Sequence, residues 1–401
     1  MTTAAESSTV DVIRRYAHPL TGDAHDFDPL LRRVGDAHIV LIGEASHGTH
    51  EFYRVRAEIT KRLIREKGFS AVAVEADWPD AYRVNRFIRG RGPDAEASDA
   101  LGAFMRFPQW MWRNADVLDF VGWLRAFNDA VTLPRLKVGF YGLDVYSLQA
   151  SMAAVIDYLW RVDPDAARLA EARYSCFDPF GEDPVRYGLA TVAGQRLSCE
   201  AEVVAQLIDL RQSAVAYARA DGRFEPDTTF YIEQNARVVR NAERYYRAMV
   251  HGGAEAWNLR DRHMSSTLEA LRHHLREGRH EPKIVVWAHN SHLGDARWTE
   301  MSARGETNVG ELVRVQHPHD VVSVGFTTYT GTVTAAHDWG KPALRIAVVP
   351  GLAGSYEQLF HSAVGDDGEV GSRNVMLSFD SDHATRDELR HALDGPLLER
   401  A

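Results

Sequence analysis

Four short apolar segments, each running into ionisable side chains, constrain the fold of this chain more than any other feature. They are HIVLIGE (38–44), SAVAVEA (70–76), KVGFYGLD (137–144) and KIVVWAHNSH (283–292). Each run is too short for a helix and rich in β-branched or aromatic residues, which predicts buried strands. Amphipathic stretches with helical spacing lie between them, at 49–68 and 114–131. Such alternation is typical of an α/β fold with a mainly parallel central sheet flanked by helices.

A long segment without strand patterns interrupts this alternation. Residues 147–280 have helical spacing almost throughout, which predicts a large helical insertion or lid. The α/β core then has two parts, residues 1–146 and 281–401. Further strand patterns follow the insertion, at 321–335, 344–350 and 374–380. The simplest architecture is a single sheet domain that contains all of these strands.

Composition excludes several classes of protein. The 46 lysines and arginines against 56 aspartates and glutamates give a net charge of −10, which argues against nucleic-acid binding. No segment approaches the roughly 18 apolar residues of a membrane span, and the N-terminus lacks a secretory pattern. Two cysteines, Cys176 and Cys199, neither require nor suggest an oxidising compartment. We therefore expect a cytoplasmic protein with a small-molecule partner, no nucleic-acid partner and no membrane association; the oligomeric state stays open.

Ionisable side chains follow all four predicted strands of the core directly. They are Glu44 and His47, Glu75 and Asp77, Asp144, and His289 and His292. In an open parallel sheet, ligands bind in the crevice at the carboxyl ends of the strands. We therefore expect these side chains to converge on one site. The candidate substrate contacts among them are Asp77 and Asp144, together with Trp78, which follows Asp77, and His50, at the start of the first helix.

Two arginines lie on predicted apolar faces of helices. Arg56 falls within the apolar stripe of the helix at 49–68, whereas Arg54 projects away from that stripe. Arg260 aligns in the same way with the apolar residues of the last insertion helix. A buried guanidinium is costly unless it meets a carboxylate or a bound anion. We expect Glu44 or Glu75 to be the partner of Arg56, and Arg260 to contact the substrate.

These residue types suit acyl hydrolysis by an activated water molecule. A histidine beside a carboxylate can act as a general base, and a buried arginine or a second histidine can stabilise the developing oxyanion. A serine nucleophile is disfavoured because the chain has no G-x-S-x-G motif, and Ser46 is adjacent to His47 in a turn.

Two alternatives to a metal-free hydrolase stay open. Glu44-x-x-His47 and His289-x-x-His292 offer ligand types that zinc or manganese accepts, so the same cleft suits a metal-dependent hydrolase or a natural-product tailoring enzyme. The second alternative is a haem- or metal-binding protein. Haem ligation does not need two strand-end glutamates and a buried arginine, which favours an enzyme over a haem protein. We expect no cofactor, with a divalent metal as the alternative.

Five segments around these residues resemble the erythromycin esterase family, which is also labelled succinoglycan-biosynthesis-like. They are IVLIGEASHGTHEFYRVRAEITKRLI, AVAVEADWPDAYRVNRFI, YGLDVYSL, WNLRDRHM and VVWAHNSHLG. The resemblance implies an α/β core with helical additions and a deep acidic cleft. It also implies a carboxylic ester hydrolase that cleaves an ester or a lactone, a macrolide in the antibiotic-resistance members, with a histidine-activated water and no metal.

The same resemblance implies roles for six residues. His47 corresponds to the base and Glu75 to the essential carboxylate beside it. Four further residues would orient these groups or stabilise charge: Glu44, Arg56, His289 and His292.

Overall fold

The computed structural model describes residues 4–221, 226–276, 281–365, 374–379 and 383–393. The strands within these residues are β1 (His18–Pro19), β2 (Ile39–Ile42), β3 (Ala71–Asp77), β4 (Gly139–Asp144), β5 (Ile284–Trp287), β6 (Val321–Val324), β7 (Gly331–Ala335), β8 (Leu344–Val348) and β9 (Val375–Met376). The first helices of the described part are α1 (Ala4–Tyr16), α2 (Asp28–Val34), α3 (His50–Lys67), α4 (Trp78–Ile88), α5 (Ala97–Leu101), α6 (Ala115–Asp129), α7 (Leu148–Val162), α8 (Pro164–Tyr174) and α9 (Pro184–Val192). The later ones are α10 (Glu200–Asp221), α11 (Pro226–His251), α12 (Ala254–Arg276), α13 (Asn290–Leu293), α14 (Glu300–Ala303), α15 (Val309–Gln316), α16 (Tyr356–Val364) and α17 (His383–Leu393).

The central element is a five-stranded sheet with the strand order β4-β3-β5-β2-β6. The pairs β4–β3, β3–β5 and β5–β2 are parallel, with Val72 opposite both Val285 and Phe140. Every residue of β2, β3 and β5 is buried, as expected where helices cover both faces of a parallel sheet. The predicted α/β fold with a mainly parallel sheet and flanking helices is confirmed.

Alternate strand residues pack against helices on opposite faces of the sheet. Ile39 and Val286 share one hydrophobic cluster with Met264 of α12 and Val313 of α15. On the other face, the Trp287 ring lies 4.7 Å from the ring of Phe120 in α6. The helices thus fix the strands from both sides, and only the strand ends are left to carry polar side chains.

The segment between β4 and β5 is helical within its described residues, from α7 to α12. Tyrosines and aliphatic side chains of α7, α8, α10 and α11 form its core. The buried carboxylate of Glu243 accepts from the hydroxyl of Tyr187 and from Arg247. Residues 222–225 and 277–280 of the predicted insertion lie outside the described residues, and its boundaries stay predictions.

The two cysteines, to which the sequence analysis gave no role, form a disulfide. Cys176 lies in a 3₁₀ segment (Ser175–Phe180), and Cys199 immediately precedes α10. The bond closes a loop that contains α9, so it restrains one edge of the helical segment.

The chain divides into two compact units. The sheet unit comprises residues 38–43 and 69–323, and the terminal unit comprises residues 1–37, 44–68 and 324–401. In the terminal unit, α1 packs against α16 through Ile13 and Leu359.

The late strand patterns differ from the expectation of a single sheet. Only β6 joins the central sheet; β7 and β8 form a separate antiparallel pair, and β9 pairs with β1. The reason lies in their sequences, since β7 (GTVTA) and β8 (LRIAV) are partly exposed and lack the continuous apolar run of a buried parallel strand.

Among the helices that the structure describes, none combines the length and the apolar character that a membrane span needs.

Candidate active site

Three predicted site residues lie where neighbouring strands of the central sheet end. Glu75 and Asp77 are among the last residues of β3, Asp144 ends β4, and all three are buried. The β3–β4 register shifts just before Asp77, and such an irregularity re-aims side chains. Gly142 allows the strands to approach here, because a Cβ atom on it would lie 2.5 Å from the carbonyl oxygen of Ala76.

Arg260 of α12 joins the ends of β3 and β4. Its Nη2 donates to Glu75 Oε1 at 2.6 Å and to Asp144 Oδ2 at 2.7 Å, and its Nε donates to Asp144 Oδ1 at 3.0 Å. Burial opposes ionisation of Asp144, but the guanidinium outweighs it and holds the pKa of that carboxyl below its ordinary value. Met264 and Leu268 are fully buried, which confirms the helix phase inferred for Arg260.

His292, which is almost fully buried, lies between two carboxylates. Its Nδ1 is 2.9 Å from Asp261 Oδ1, and its Nε2 is 3.3 Å from Glu75 Oε1. Burial alone would lower the pKa of His292, but Glu75 and Asp261 raise it to about 9. These two carboxylates therefore favour the charged imidazole, which can donate from both nitrogens.

Several donors hold Glu75 in place. Arg260 donates to Glu75 Oε1, and the backbone N–H of His289 donates to Glu75 Oε2 at 2.8 Å. The His289 ring itself contacts Ser291, with Nδ1 2.9 Å from the hydroxyl oxygen. The predicted residue His289 therefore contributes its backbone to the site as well as a side chain.

Asp77 has a separate cationic partner at the end of β3. Arg106 Nε donates to Asp77 Oδ2 at 2.9 Å, and its guanidinium lies 4.4 Å from the ring centre of Tyr146. Burial raises the pKa of Asp77, and Arg106 offsets this only in part. Burial and the neighbouring Asp77 also raise the pKa of Asp80, to about 7. This corner of the sheet unit therefore holds more carboxyl groups than its arginines neutralise.

Trp78 and His50, two of the candidate substrate contacts, differ in exposure. Trp78 is 1% exposed, and its indole Nε1 donates to the carbonyl oxygen of Tyr231. Its ring packs against Tyr141 and Phe230, so the structure places it in the hydrophobic core. His50 is exposed at the first residue of α3.

A second cluster lies in the terminal unit, where the loop after β2 meets α3. Glu44 Oε1 is 3.0 Å from His47 Nδ1, and Glu44 Oε2 accepts from Arg56 Nη2 at 3.2 Å. Arg56 is fully buried while Arg54 is exposed, which confirms the helix phase and identifies Glu44 as a partner of Arg56. The Tyr53 hydroxyl donates to the carbonyl oxygen of His47 and fixes the loop.

The structure thus brings the predicted residues together in two groups. Glu75, Asp144, Arg260, His289 and His292 meet in the sheet unit. Glu44, His47 and Arg56 meet in the terminal unit. Their catalytic roles stay predictions.

Two residues of the sheet-unit group escaped the sequence analysis, Asp261 and Arg106. Asp261 directly follows Arg260 and precedes Met264 by one helical turn, so the periodicity that identified Arg260 could also have found it. Arg106 lies outside any regular helix or strand and left no pattern to read.

The described residues offer no ready site for a metal ion. Within that part of the chain, no group of three or more histidine, cysteine, aspartate or glutamate side chains is placed to hold a metal ion. The arginines that occupy Glu75, Asp144 and Glu44 explain why, because a guanidinium takes the carboxylate oxygens a metal would need. That the protein needs no metal remains a prediction.

Comparison with known proteins defines the class. The family model described as erythromycin esterase matches residues 64–401. Erythromycin esterase type II of Escherichia coli is 22% identical over 322 residues, which cover 78% of this chain and 74% of that protein. The chain belongs to the erythromycin esterase family.

Solved structures show the same fold. A succinoglycan biosynthesis protein superimposes with a TM-score of 0.72 at 19% identity, covering 97% of this chain and 90% of its own. A mutant of the erythromycin esterase EreC in its open conformation gives 0.64 at 16% identity, covering 84% and 82%. The part of this chain that the family model matches begins at residue 64, so it does not include the Glu44–His47–Arg56 cluster.

Proposed function

We propose that this protein is a hydrolase that cleaves an ester or a lactone with a water molecule activated by His47. The Glu44–His47 pair supports this most directly, with 3.0 Å between Glu44 Oε1 and His47 Nδ1. A carboxylate at Nδ1 fixes the tautomer in which Nε2 carries the lone pair. The side chain of His47 is 33% exposed, so water can approach the base.

The proposed reaction follows from that tautomer. His47 Nε2 takes a proton from water while the water oxygen forms a bond to the acyl carbon. The π electrons of the carbonyl move onto its oxygen and return when the ester bond breaks. Glu44 stabilises the resulting imidazolium, and Arg56 holds Glu44 in the required orientation. As the acyl C–O bond breaks, its electron pair stays on the leaving oxygen, which takes the proton and departs as the alcohol.

The sheet-unit cluster has a different role in this proposal. Arg260, His292 and the backbone of His289 hold Glu75 so firmly that it can orient a reacting group without rearrangement.

The proposed substrate is a neutral or cationic ester or lactone, with a macrolide as the narrower candidate. The net charge of −10 disfavours anionic molecules at long range. The erythromycin esterase type II of Escherichia coli supports the macrolide by its name. His50, Asp77, Asp144 and Arg260 are proposed contacts for this substrate, whereas Trp78 lies in the hydrophobic core.

Incubation with erythromycin, followed by mass spectrometry, tests the narrow proposal by looking for the gain of one water. Turnover of aryl esters that is lost in His47→Ala would retain the hydrolase and reject the macrolide. If neither substrate is turned over, the hydrolase proposal fails. Activity should survive dialysis against a chelator, because the proposed reaction uses no metal.

The proposed compartment is the cytoplasm. The Cys176–Cys199 disulfide weighs against it, since disulfides are rare in the reducing cytosol. Alkylation of the free thiols in intact cells, before lysis, would show whether the bond exists there.

A further inference from the structure

Asp261, which the sequence analysis did not single out, holds one edge of the His292 ring. Asp261 is fully buried on α12, and its Oδ1 and Oδ2 lie 2.9 and 3.0 Å from His292 Nδ1. The backbone N–H of Val309, at the start of α15, donates to Asp261 Oδ2 at 3.0 Å. The carboxylate is therefore itself fixed by a neighbouring helix.

Trp257 holds the face of the same ring. The two ring planes differ by 3°, and their centroids are 4.6 Å apart. The indole is anchored in turn, because its Nε1 donates to the carbonyl oxygen of Thr307 at 2.9 Å. With one edge on Asp261 and one face on Trp257, the imidazole has a defined orientation in which Nε2 points toward Glu75.

His292 Nε2 meets two groups of opposite charge. It lies 3.3 Å from Glu75 Oε1 and 3.0 Å from Arg260 Nη1. A protonated ring donates from both nitrogens, so its Nε2 donates to Glu75. A neutral ring with its proton on Nδ1 can only accept at Nε2, and the donor is then Arg260. The protonation state of the ring therefore decides whether His292 is one of the donors that hold Glu75.

We propose that Asp261 is a positioning residue that keeps His292 charged and turned toward Glu75, and that it thereby holds Glu75 for the reaction. The link to catalysis rests on the proposed function, whereas the state of the ring does not. The charged groups that face the ring are Glu75 from β3 and Arg260 and Asp261 from α12. With Asp261 present, two carboxylates favour the protonated ring and one guanidinium disfavours it. Without the charge of Asp261, only Glu75 favours the protonated ring, and Arg260 opposes it.

Nitrogen-15 NMR of the full-length protein labelled at histidine tests the proposal directly, with His292 assigned by the loss of its signals in His292→Gln. In the unmodified protein at neutral pH, both ring nitrogens of His292 should be protonated. Asp261→Asn keeps the shape and an acceptor for Nδ1 but removes the charge, so the ring should become neutral, with Nε2 unprotonated. Glu243→Gln, a buried carboxylate of the helical segment, is the matched control and should leave the His292 signals unchanged.

Kinetics with a cleaved ester give the second readout. Asp261→Asn should lower kcat on the order of 10- to 100-fold with little change in KM, because Asp261 acts on the reaction only through His292 and Glu75. A neutral His292 ring in the unmodified protein, a ring that stays protonated in Asp261→Asn, or an unchanged kcat in that variant would each overturn the proposal. The first of these needs no substrate and no variant other than His292→Gln, which serves for the assignment. If no ester is cleaved, the proposed function fails while the NMR result still decides the role of Asp261.

Discussion

Two arginine–carboxylate pairs with buried carboxylates differ most in how far apart their partners lie along the chain. Arg56 and Glu44 are 12 residues apart, in one loop and the helix that follows it. Arg260 and Glu75 are 185 residues apart and meet only because α12 packs across the end of the sheet. The first pair is local, whereas the second depends on the whole sheet unit.

The histidines of the two clusters differ in their exposure and in the number of carboxylates around them. His47 pairs with one carboxylate and is 33% exposed, an environment that suits exchange of protons with water. His292 lies between two carboxylates, is 3% exposed in its side chain and is held on one face by Trp257. The local cluster is thus arranged for proton transfer, and the non-local cluster is arranged to hold charge in a fixed position.

The strongest test of this contrast is His47→Ala. It removes the proposed base from a half-buried loop, so we expect a rate loss of about 100- to 10,000-fold with an intact fold. Rates on the accepted ester and the thermal midpoint together measure this. His25→Ala is a matched control, because His25 also pairs with a carboxylate three residues away, Asp28, but is exposed. A rate loss of equal size in both variants would mean that the pairing, and not the position of His47, was being measured.

Glu75→Gln should affect both activity and stability. Donors face both oxygens of Glu75: Arg260 and His292 at Oε1, and the His289 backbone at Oε2. Whichever way the amide turns, its NH₂ group meets another donor. Breaking a buried charge pair costs about 3–5 kcal/mol, so we expect a lower free energy of unfolding together with a severe loss of rate.

Glu243→Gln separates the two effects of Glu75→Gln. Glu243 is also a fully buried carboxylate that accepts from an arginine, Arg247, but it lies in the helical segment. Glu243→Gln should lower the free energy of unfolding, while the rate of ester cleavage, measured at temperatures below the unfolding transition, stays unchanged. If its rate fell in parallel with stability, Glu75 would have to be regarded as structural.

The local cluster could be predicted from the sequence more fully than the non-local one. Helical periodicity alone placed Arg56 inward and Arg54 outward, because both lie on one regular helix. Periodicity also placed Arg260 on the apolar face of its helix. It could not predict the pairing of Arg260 with Asp144, because that pairing depends on β4 lying beside β3. Arg106 had no pattern at all, since it belongs to no regular helix or strand.

Arg56→Lys tests the local cluster at a finer level. Lysine keeps the charge but loses the planar guanidinium, so the contact with Glu44 Oε2 is weakened and His47 is less firmly oriented. A hydrogen bond to a charged group is worth about 1.5–3 kcal/mol. We expect the activation free energy of the reaction to rise by an amount within that range. Arg54→Lys, on the exposed side of the same helix, should be nearly silent. Equal effects of the two substitutions would contradict the orientation of α3.

A pH dependence of stability belongs to the non-local cluster alone. The pKa of His292 is raised from 6.5 to about 9 in the folded protein, where burial opposes the charge but Glu75 and Asp261 outweigh it. The folded state therefore binds a proton that the unfolded state has lost, so this stabilisation is fully present below about pH 6.5 and disappears as the pH rises through about 9. Denaturant titrations should show the free energy of unfolding falling by about 1.4 kcal/mol per pH unit between these values, relative to His292→Gln. His47→Ala should keep the same slope, because that histidine belongs to the other cluster. A slope that vanished in His47→Ala but persisted in His292→Gln would reverse the assignment of the buried charge.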